Sequence, residues 1–215
     1  MGLEFMPIFK DWAVSYDDEV EGHNPQYKDV FEGYWDVITE ITNQSGNSIL
    51  EFGSGTGNLT EKLLQAGKKV YPIEPSQEMR AVAQEKLKDY QVEFLDGDME
   101  NFPQPENEVD TIVSNLVFHH LNAAEKNSAL AAYNKILPSG GKIIFGDTMF
   151  LSQAALDAII ERESSRGFED LVEDLNREYY PLITDLEEIF RANNFKTNYR
   201  QMNNYVWIVI AEKIN

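Results

Sequence analysis

Cysteine is absent from the 215 residues. Disulfides, thiolate metal sites and cysteine nucleophiles are excluded together. Positive charge is scarce: 18 Lys and Arg stand against 37 Asp and Glu, a net charge of −19. Proteins grip nucleic acid largely by placing Lys and Arg on phosphates. Neither a nucleic-acid partner nor an anionic membrane surface is therefore expected, and the plain reading of the acidity is solubility. Histidine is limited to His23, His119 and His120. A metal site would need acids to complete it, and none is expected. No apolar run approaches the roughly 20 residues that span a bilayer. No charged region followed by an apolar stretch opens the chain, so no signal peptide is read there. These absences lead to the expectation of a cytoplasmic protein. The length suits one domain, or one domain carrying an inserted cap.

What the chain does have centres on Ile49-Leu50-Glu51-Phe52-Gly53-Ser54-Gly55-Thr56-Gly57-Asn58. An apolar strand runs into closely spaced glycines, and Leu59, Leu63 and Leu64 then give the beat of a helix with one buried face. Glycines permit a sharp turn and clear side chains from a ligand's path. The helix N-terminus beyond them offers free N–H groups. The spacing is G-x-G-x-G, whereas the dinucleotide fingerprint is G-x-G-x-x-G, and no P-loop Gly-Lys-Ser/Thr is present. Glu51 is out of place beside a pyrophosphate and suits a ligand that carries positive charge. Taken alone, the glycines also fit a tight strand-to-helix turn without a ligand.

Later strands deliver polar groups at their ends as well. Glu74 closes the run Lys69 to Ile73, about 20 residues after the first glycine, where α/β nucleotide folds place an acid against ribose hydroxyls. Val92 to Leu95 leads to Asp96-Gly97-Asp98-Met99, and Asp110 to Val113 leads to Ser114-Asn115. Strands are expected at 48–52, 69–73, 91–95, 109–114 and 141–147, with helices at 58–66, 76–88 and 123–136. This alternation argues an α/β fold with a parallel, doubly wound sheet covered on both faces. Before it, Phe5, Phe9, Trp12 and Tyr16 recur at helical spacing, and a helix is expected from Tyr27 to Thr42. After it come two helical patterns, Gln153 to Glu163 and Phe168 to Arg177. Residues 151–190 hold 11 acids and 3 bases, a net of −8. A solvated helix pair is the plainer account; an acidic lid favouring a neutral or cationic substrate is the functional one. Thr184 and Glu187 suggest a capping box at the start of the last helix. Phe195 to Met202 and Tyr205 to Glu212 suggest a hairpin around Asn203-Asn204.

In order, Glu51-x-Gly53-x-Gly55-x-Gly57, Glu74, Gly97-Asp98 and Asp110-x-Ile112-x-Ser114 resemble the motif series of class I methyltransferases that use S-adenosylmethionine (SAM). Trp12-Ala13-x-x-Tyr16-Asp17 and Phe118-His119-His120-Leu121 are similar to small bacterial members, the YrrT-like methyltransferases. The resemblance covers nearly the whole chain. It implies a Rossmann-like, mostly parallel sheet that ends in an antiparallel hairpin. It also implies a helical arm over 1–45, a SAM-binding core over 46–150, a helical cap over 151–183 and a closing helix and hairpin over 184–215. The implied cofactor is SAM, with S-adenosylhomocysteine as product.

The resemblance also assigns roles. Gly53, Ser54, Gly55 and Gly57 would let the methionine portion lie against the backbone, with Glu51 nearby. Glu74 would accept from both ribose hydroxyls. Asp98 would accept from the adenine amino group, the Met99 N–H would serve a ring nitrogen, and Asn115 would lie beneath the methionine portion. Tyr16, and more weakly Tyr27, would line the pocket. His119 or His120 would take the acceptor's proton, or else one packs while the other bonds a loop. Methyl transfer needs little covalent chemistry from the protein. It needs nucleophile, carbon and sulfur held in line, and good orientation recovers roughly 7–11 kcal/mol of barrier. No Asn-Pro-Pro-Tyr-type motif follows the fourth strand, so a small-molecule acceptor is expected, with a link to methionine and cysteine sulfur metabolism implied by the subgroup. The competing readings are a non-catalytic SAM-binding sensor or scaffold and an NAD-linked oxidoreductase.

Overall fold

The computed structural model describes residue 13 and residues 15–214. The expected helical positions Phe5, Phe9 and Trp12 lie outside the described residues. Six strands form one sheet: β1 (Ser48–Phe52), β2 (Lys69–Ile73), β3 (Thr111–Asn115), β4 (Lys142–Thr148), β5 (Phe195–Gln201) and β6 (Val206–Lys213). Their order is β2-β1-β3-β4-β6-β5. The first four run parallel, and β6 is antiparallel to both β4 and β5. The Rossmann-like sheet and its terminal antiparallel hairpin are thus both present. The hairpin turns where expected: Asn203 Oδ1 accepts from the N–H groups of Tyr205 at 2.7 Å and Val206 at 2.6 Å.

Eight helices are described: α1 (Tyr16–Val20), α2 (Tyr34–Gln44), α3 (Asn58–Gln65), α4 (Gln77–Lys86), α5 (Ala123–Ile136), α6 (Gln153–Ser165), α7 (Glu169–Arg177) and α8 (Ile183–Ala192). Alternate strand residues sort to the two faces of the sheet. Leu50, Phe52, Ile112, Ile143 and Phe145 pack with Leu130 and Tyr133 of α5 and with Leu186 and Phe190 of α8. Ile49, Val113, Ile144 and Ile208 pack with Ile38 and Ile41 of α2 and with Leu59 and Leu63 of α3. Burial on both faces explains why the inner strands read as nearly unbroken apolar runs. Each such side chain contributes about 1.5–3 kcal/mol on burial. No helix among the described residues is long and apolar enough to cross a membrane.

Three local expectations are corrected. Residues 91–95 do not form a strand; Leu95 makes a single parallel bridge to Ile73. The Leu95 N–H donates to the Pro72 carbonyl at 2.9 Å, and the Glu74 N–H donates to the Leu95 carbonyl at 3.0 Å. The next rung would need a donor at Pro72, which has no N–H, so the ladder stops there. The helix expected from Tyr27 begins only at Tyr34. Gly33 precedes it in the left-handed conformation, φ +73°, and residues 27–33 are turns with a bend at Phe31. Thr184 is not an N-cap: α8 begins at Ile183, after Leu182. Leu182 is bridged to Phe150, and the Ile183 N–H donates to the Phe150 carbonyl at 2.8 Å. Pairing with the chain after β4 therefore sets where the helix starts.

A capping box that the sequence reading passed over does operate at α5. Asn122 Oδ1 accepts from the N–H groups of Ala124 and Glu125, and Glu125 Oε2 accepts from the Asn122 N–H at 2.7 Å. This box fixes the end of the turn that carries His119 and His120. Asn122→Ala is expected to lower stability by about 1 kcal/mol. The check is a urea melt, in which the midpoint should fall with an unchanged slope.

Candidate active site

The carboxyl ends of β1 and β2 build a cleft. β1 runs into Gly53 at φ +63°. A Cβ at Gly53 would lie 2.3 Å from Val117 Cγ2, whereas one at Gly55 (φ +54°) would meet nothing within 4 Å. Gly53 is thus demanded by packing, and Gly55 leaves its backbone open to the cleft. Gly57 serves a different purpose: a Cβ there would press on Leu87 at 3.1 Å and Ala83 at 3.3 Å, so it lets α3 sit close against α4.

Glu74, only 5% exposed, ties the two strand ends together. Its Oε2 accepts from the Gly55 N–H at 2.9 Å and its Oε1 from the Ser76 N–H at 2.8 Å. Burial pushes its pKa up to about 7, against the pull of those two N–H groups. Glu51 is buried beside it and accepts from Thr60 Oγ1 at 2.7 Å. Burial raises the Glu51 pKa to about 8; the Thr60 hydroxyl opposes the rise and the charge of Glu74 adds to it. Glu74, Gly53, Gly55, Asn115, Leu116 and His120 line one part of the cleft. Glu51, Ser54 and Tyr34 line the adjoining part, and Tyr16 lines both.

The segment before α2 grips this loop. Asp17 accepts from Thr56 Oγ1 at 2.6 Å, from Asn58 Nδ2 at 3.1 Å and from Lys86 Nζ at 2.6 Å. Burial would raise the Asp17 pKa, but these donors, Lys86 foremost, hold it below the usual carboxylate range.

A larger cavity of about 230 Å³ adjoins the cleft. Tyr16, Leu116 and His120 line both spaces. Leu116 holds φ +58°, a conformation that costs a non-glycine residue roughly 1–2 kcal/mol. The far wall comes from α7 and the chain after it: Leu171, Asp174, Leu175, Glu178 and Tyr180. The Tyr27 hydroxyl donates to Asp174, so Tyr27 belongs to this cavity and not to the cleft.

His119 stands between two carboxylates. Its Nδ1 lies 2.5 Å from Asp147 Oδ1 and its Nε2 3.2 Å from Glu178 Oε2. Its backbone N–H donates to Asp147 Oδ2 at 2.9 Å, and its ring stacks on Tyr180 at 5.1 Å. Burial alone would depress its pKa, but Asp147 and Glu178 raise it to about 10. In return, despite burial, His119 draws Glu178 down to about 2. Both ring nitrogens of His119 thus face carboxylate oxygens, Asp147 on one side and Glu178 on the other. His120 lies against it with ring centroids 4.0 Å apart, and burial, followed by the charge of His119, keeps its pKa well below the usual histidine range.

Most of the residues singled out from sequence converge here: Gly53, Gly55, Ser54, Glu51, Glu74, Asn115, Tyr16, His119 and His120. Asp98 and Met99 are not among the lining residues. Asp98 Oδ1 accepts from the N–H groups of Glu100 and Asn101 at 2.7 and 2.8 Å, and the Met99 side chain is core. Sequence reasoning missed Asp147, Asp174 and Glu178 as site residues. Asp147 could have been found, because it sits near the carboxyl end of β4, where such folds gather polar groups. The other two had no local signal.

A parallel sheet closed by an antiparallel hairpin, with a glycine loop after β1 and a buried acid after β2, defines the Rossmann-like methyltransferase class. The methyltransferase domain family matches residues 50–145. Over 213 residues the chain is 49% identical to an uncharacterized methyltransferase of Anoxybacillus flavithermus, covering 99% of this chain and 100% of that one. An uncharacterized methyltransferase of Bacillus pumilus is 50% identical over 214 residues, 99% of each chain. Among solved structures, magnesium protoporphyrin IX methyltransferase from Synechocystis PCC 6803 with bound S-adenosylhomocysteine gives a TM-score of 0.71 at 20% identity, over 96% of this chain and 99% of that one. An O-methyltransferase family 2 protein from Planctomyces limnophilus in complex with apigenin gives 0.66 at 17% identity, over 95% of this chain and 62% of that one. The chain belongs to the methyltransferase family and is a SAM-dependent methyltransferase.

The raised pKa of Glu51 has a sign that can be tested. A carboxyl whose folded pKa exceeds its unfolded value holds its proton in the native state while the unfolded chain releases it. Its contribution is full below about pH 4.5 and is lost as pH rises toward about 8. Glu51→Gln removes this titration. The stability of the variant relative to wild type should therefore grow between pH 5 and pH 8, by on the order of 1–3 kcal/mol. Paired thermal melts would show it; a constant difference would mean that Glu51 is ionised throughout.

Proposed function

We propose that the protein transfers the methyl of SAM to a small neutral or cationic acceptor held in the larger cavity. The observation that carries this reading is the shared wall: Tyr16, Leu116 and His120 line both the glycine-loop cleft and the cavity. A sulfonium methyl in the cleft would point across that wall. Gly53, Ser54 and Gly55 lie against the methionine portion, Asn115 lies beneath it, and Glu74 accepts from the ribose hydroxyls with the lone pairs that Gly55 and Ser76 leave. The adenine lies toward the loop 96–99, which the Leu95 bridge holds beside Glu74 and which carries Asp98 and Met99. Tyr27, whose hydroxyl is engaged by Asp174, faces the acceptor.

Displacement is in line: the acceptor's lone pair takes the methyl carbon as the carbon–sulfur bond breaks. The cavity supplies the alignment that the reaction requires. Its enclosure by aromatic and aliphatic side chains suits a small molecule better than a polymer. On its wall Asp174 and Glu178 are partnered by Arg177 and His119, so the preference for an acceptor without negative charge rests on the net charge of −19 carried by the whole chain. The likeness to YrrT-like proteins is the ground for seeking that acceptor in methionine and cysteine sulfur metabolism.

The test is formation of S-adenosylhomocysteine from SAM with a panel of small thiols, amines, phenols and carboxylic acids. Turnover is expected with neutral or cationic members. For a cationic acceptor, Asp174→Asn should raise KM about tenfold, roughly 1.4 kcal/mol, without changing affinity for S-adenosylhomocysteine. Preferential turnover of the carboxylic acids, or of nucleic acid, would overturn the reading.

A further inference from the structure

We propose that His119, His120 and Glu178 form a mononuclear site for a first-row divalent cation of the zinc type, set in the wall of the acceptor cavity. The proposal rests on the reading of that cavity as the acceptor site. Among the described residues these three are the one group of His, Cys, Asp or Glu side chains close enough to hold a single ion. One donor atom from each lies within 4.8 Å of the others. His119 Nε2 and Glu178 Oε2 are already 3.2 Å apart, the separation expected of neighbouring ligands that each bind at roughly 2.0–2.2 Å.

The surroundings match those of a ligating histidine. A metal-bound imidazole usually gives its other ring nitrogen to a carboxylate, which fixes ring and tautomer. Asp147 does this for His119: it receives Nδ1 at 2.5 Å and the backbone N–H at 2.9 Å, and it is fully buried. That arrangement aims Nε2 at Glu178. Glu178 is held in turn, with Oε2 accepting from the Tyr180 hydroxyl at 2.7 Å. His120 is kept beside His119 by the tight turn of residues 118–120. The three donors come from two distant parts of the chain, brought together where the Tyr179 N–H donates to the His119 carbonyl at 3.1 Å.

Two imidazoles and one carboxylate are the ligand set of catalytic zinc and related first-row cations; magnesium and calcium prefer oxygen throughout. All three ligands line the acceptor cavity, so the remaining coordination positions face the acceptor. His120 also lines the cleft, which puts those positions beside the path of the methyl. An acceptor hydroxyl or thiol bound there loses its proton to solvent more readily. Its oxygen or sulfur lone pair then takes the methyl carbon, the carbon–sulfur bond electrons return to sulfur, and neutral S-adenosylhomocysteine leaves.

The experiment is calorimetry on untagged, chelator-stripped protein titrated with Zn²⁺ and separately with Mg²⁺. S-adenosylhomocysteine binding is measured on the same sample. One Zn²⁺ should bind per chain with micromolar or tighter affinity, and Mg²⁺ should not compete. His120→Ala and Glu178→Gln should each weaken Zn²⁺ at least tenfold, and Asp147→Asn roughly 10–100-fold; kept S-adenosylhomocysteine affinity shows folding for the Glu178 and Asp147 variants, and an unchanged far-UV circular dichroism spectrum shows it for His120→Ala, since His120 also lines the cleft. Should a variant fail to fold, the visible absorption of Co²⁺ bound to wild type serves instead: bands characteristic of nitrogen and oxygen ligands in a low-symmetry site are expected. No Zn²⁺ binding, equal binding by His120→Ala, or a Co²⁺ spectrum like that of the free aqueous ion would overturn the site. The two readings separate cleanly. Bound S-adenosylhomocysteine without Zn²⁺ defeats the metal site and leaves the methyltransferase cleft standing.

Discussion

A buried carboxylate holds the cofactor cleft together. Glu74 carries the end of β2 across to the glycine loop after β1, and its two oxygens are pinned by N–H groups of Gly55 and Ser76. The chain accepts the cost of burying an acid, seen in a pKa raised to about 7, to fix a charged acceptor at the mouth of two parallel strands. Everything that contacts this unit is arranged to keep it in place. Gly53 makes room for Val117 and Gly57 for α4. Asp17 closes the loop from outside through Thr56 and Asn58. A ligand with a pair of vicinal hydroxyls supplies the donors that two N–H groups alone do not exhaust.

The roof over the adjoining cavity is made of two pieces that bind each other. Gln26 donates to Asp170 at 2.6 Å, Tyr27 donates to Asp174, and Arg166 pairs with Asp29 at 2.7 Å. Exposed pairs such as Arg166–Asp29 contribute about 0–1 kcal/mol each, so they orient the pieces more than they stabilise them. The firmer tie lies beneath. Glu163, fully buried, accepts from Tyr205 at 2.8 Å and pairs with Arg162 and Arg166, fastening α6 to the start of β6. The acidity of this segment, which reads from sequence as a solvated face, is thus partly structural: Glu163, Asp174 and Glu178 each hold a specific partner.

The parts of the fold that depend on local chemistry were legible in the sequence. Apolar runs gave the inner strands to within a residue or two, and the Asn203-Asn204 pair gave the hairpin. What escaped depended on neighbours. The run at 91–95 has the composition of a strand, but Pro72 opposite it lacks the N–H that would extend the ladder. Thr184 has the spacing of a cap, but the bridge at Leu182 starts the helix two residues earlier. In the site, Glu74 and the glycines were legible because one motif carries them. Asp147 and Glu178 were not, because their partnership with His119 spans separate segments. Asp98 was assigned from a motif, yet its Oδ1 caps its own turn.

The most direct measurement is calorimetry of wild type and Glu74→Ala with S-adenosylhomocysteine, alongside wild type with NAD. The account predicts binding of S-adenosylhomocysteine alone, with affinity falling at least tenfold, about 1.4 kcal/mol, in the variant. Equal binding by wild type and variant, or binding of NAD in place of S-adenosylhomocysteine, would contradict the role given to the buried carboxylate.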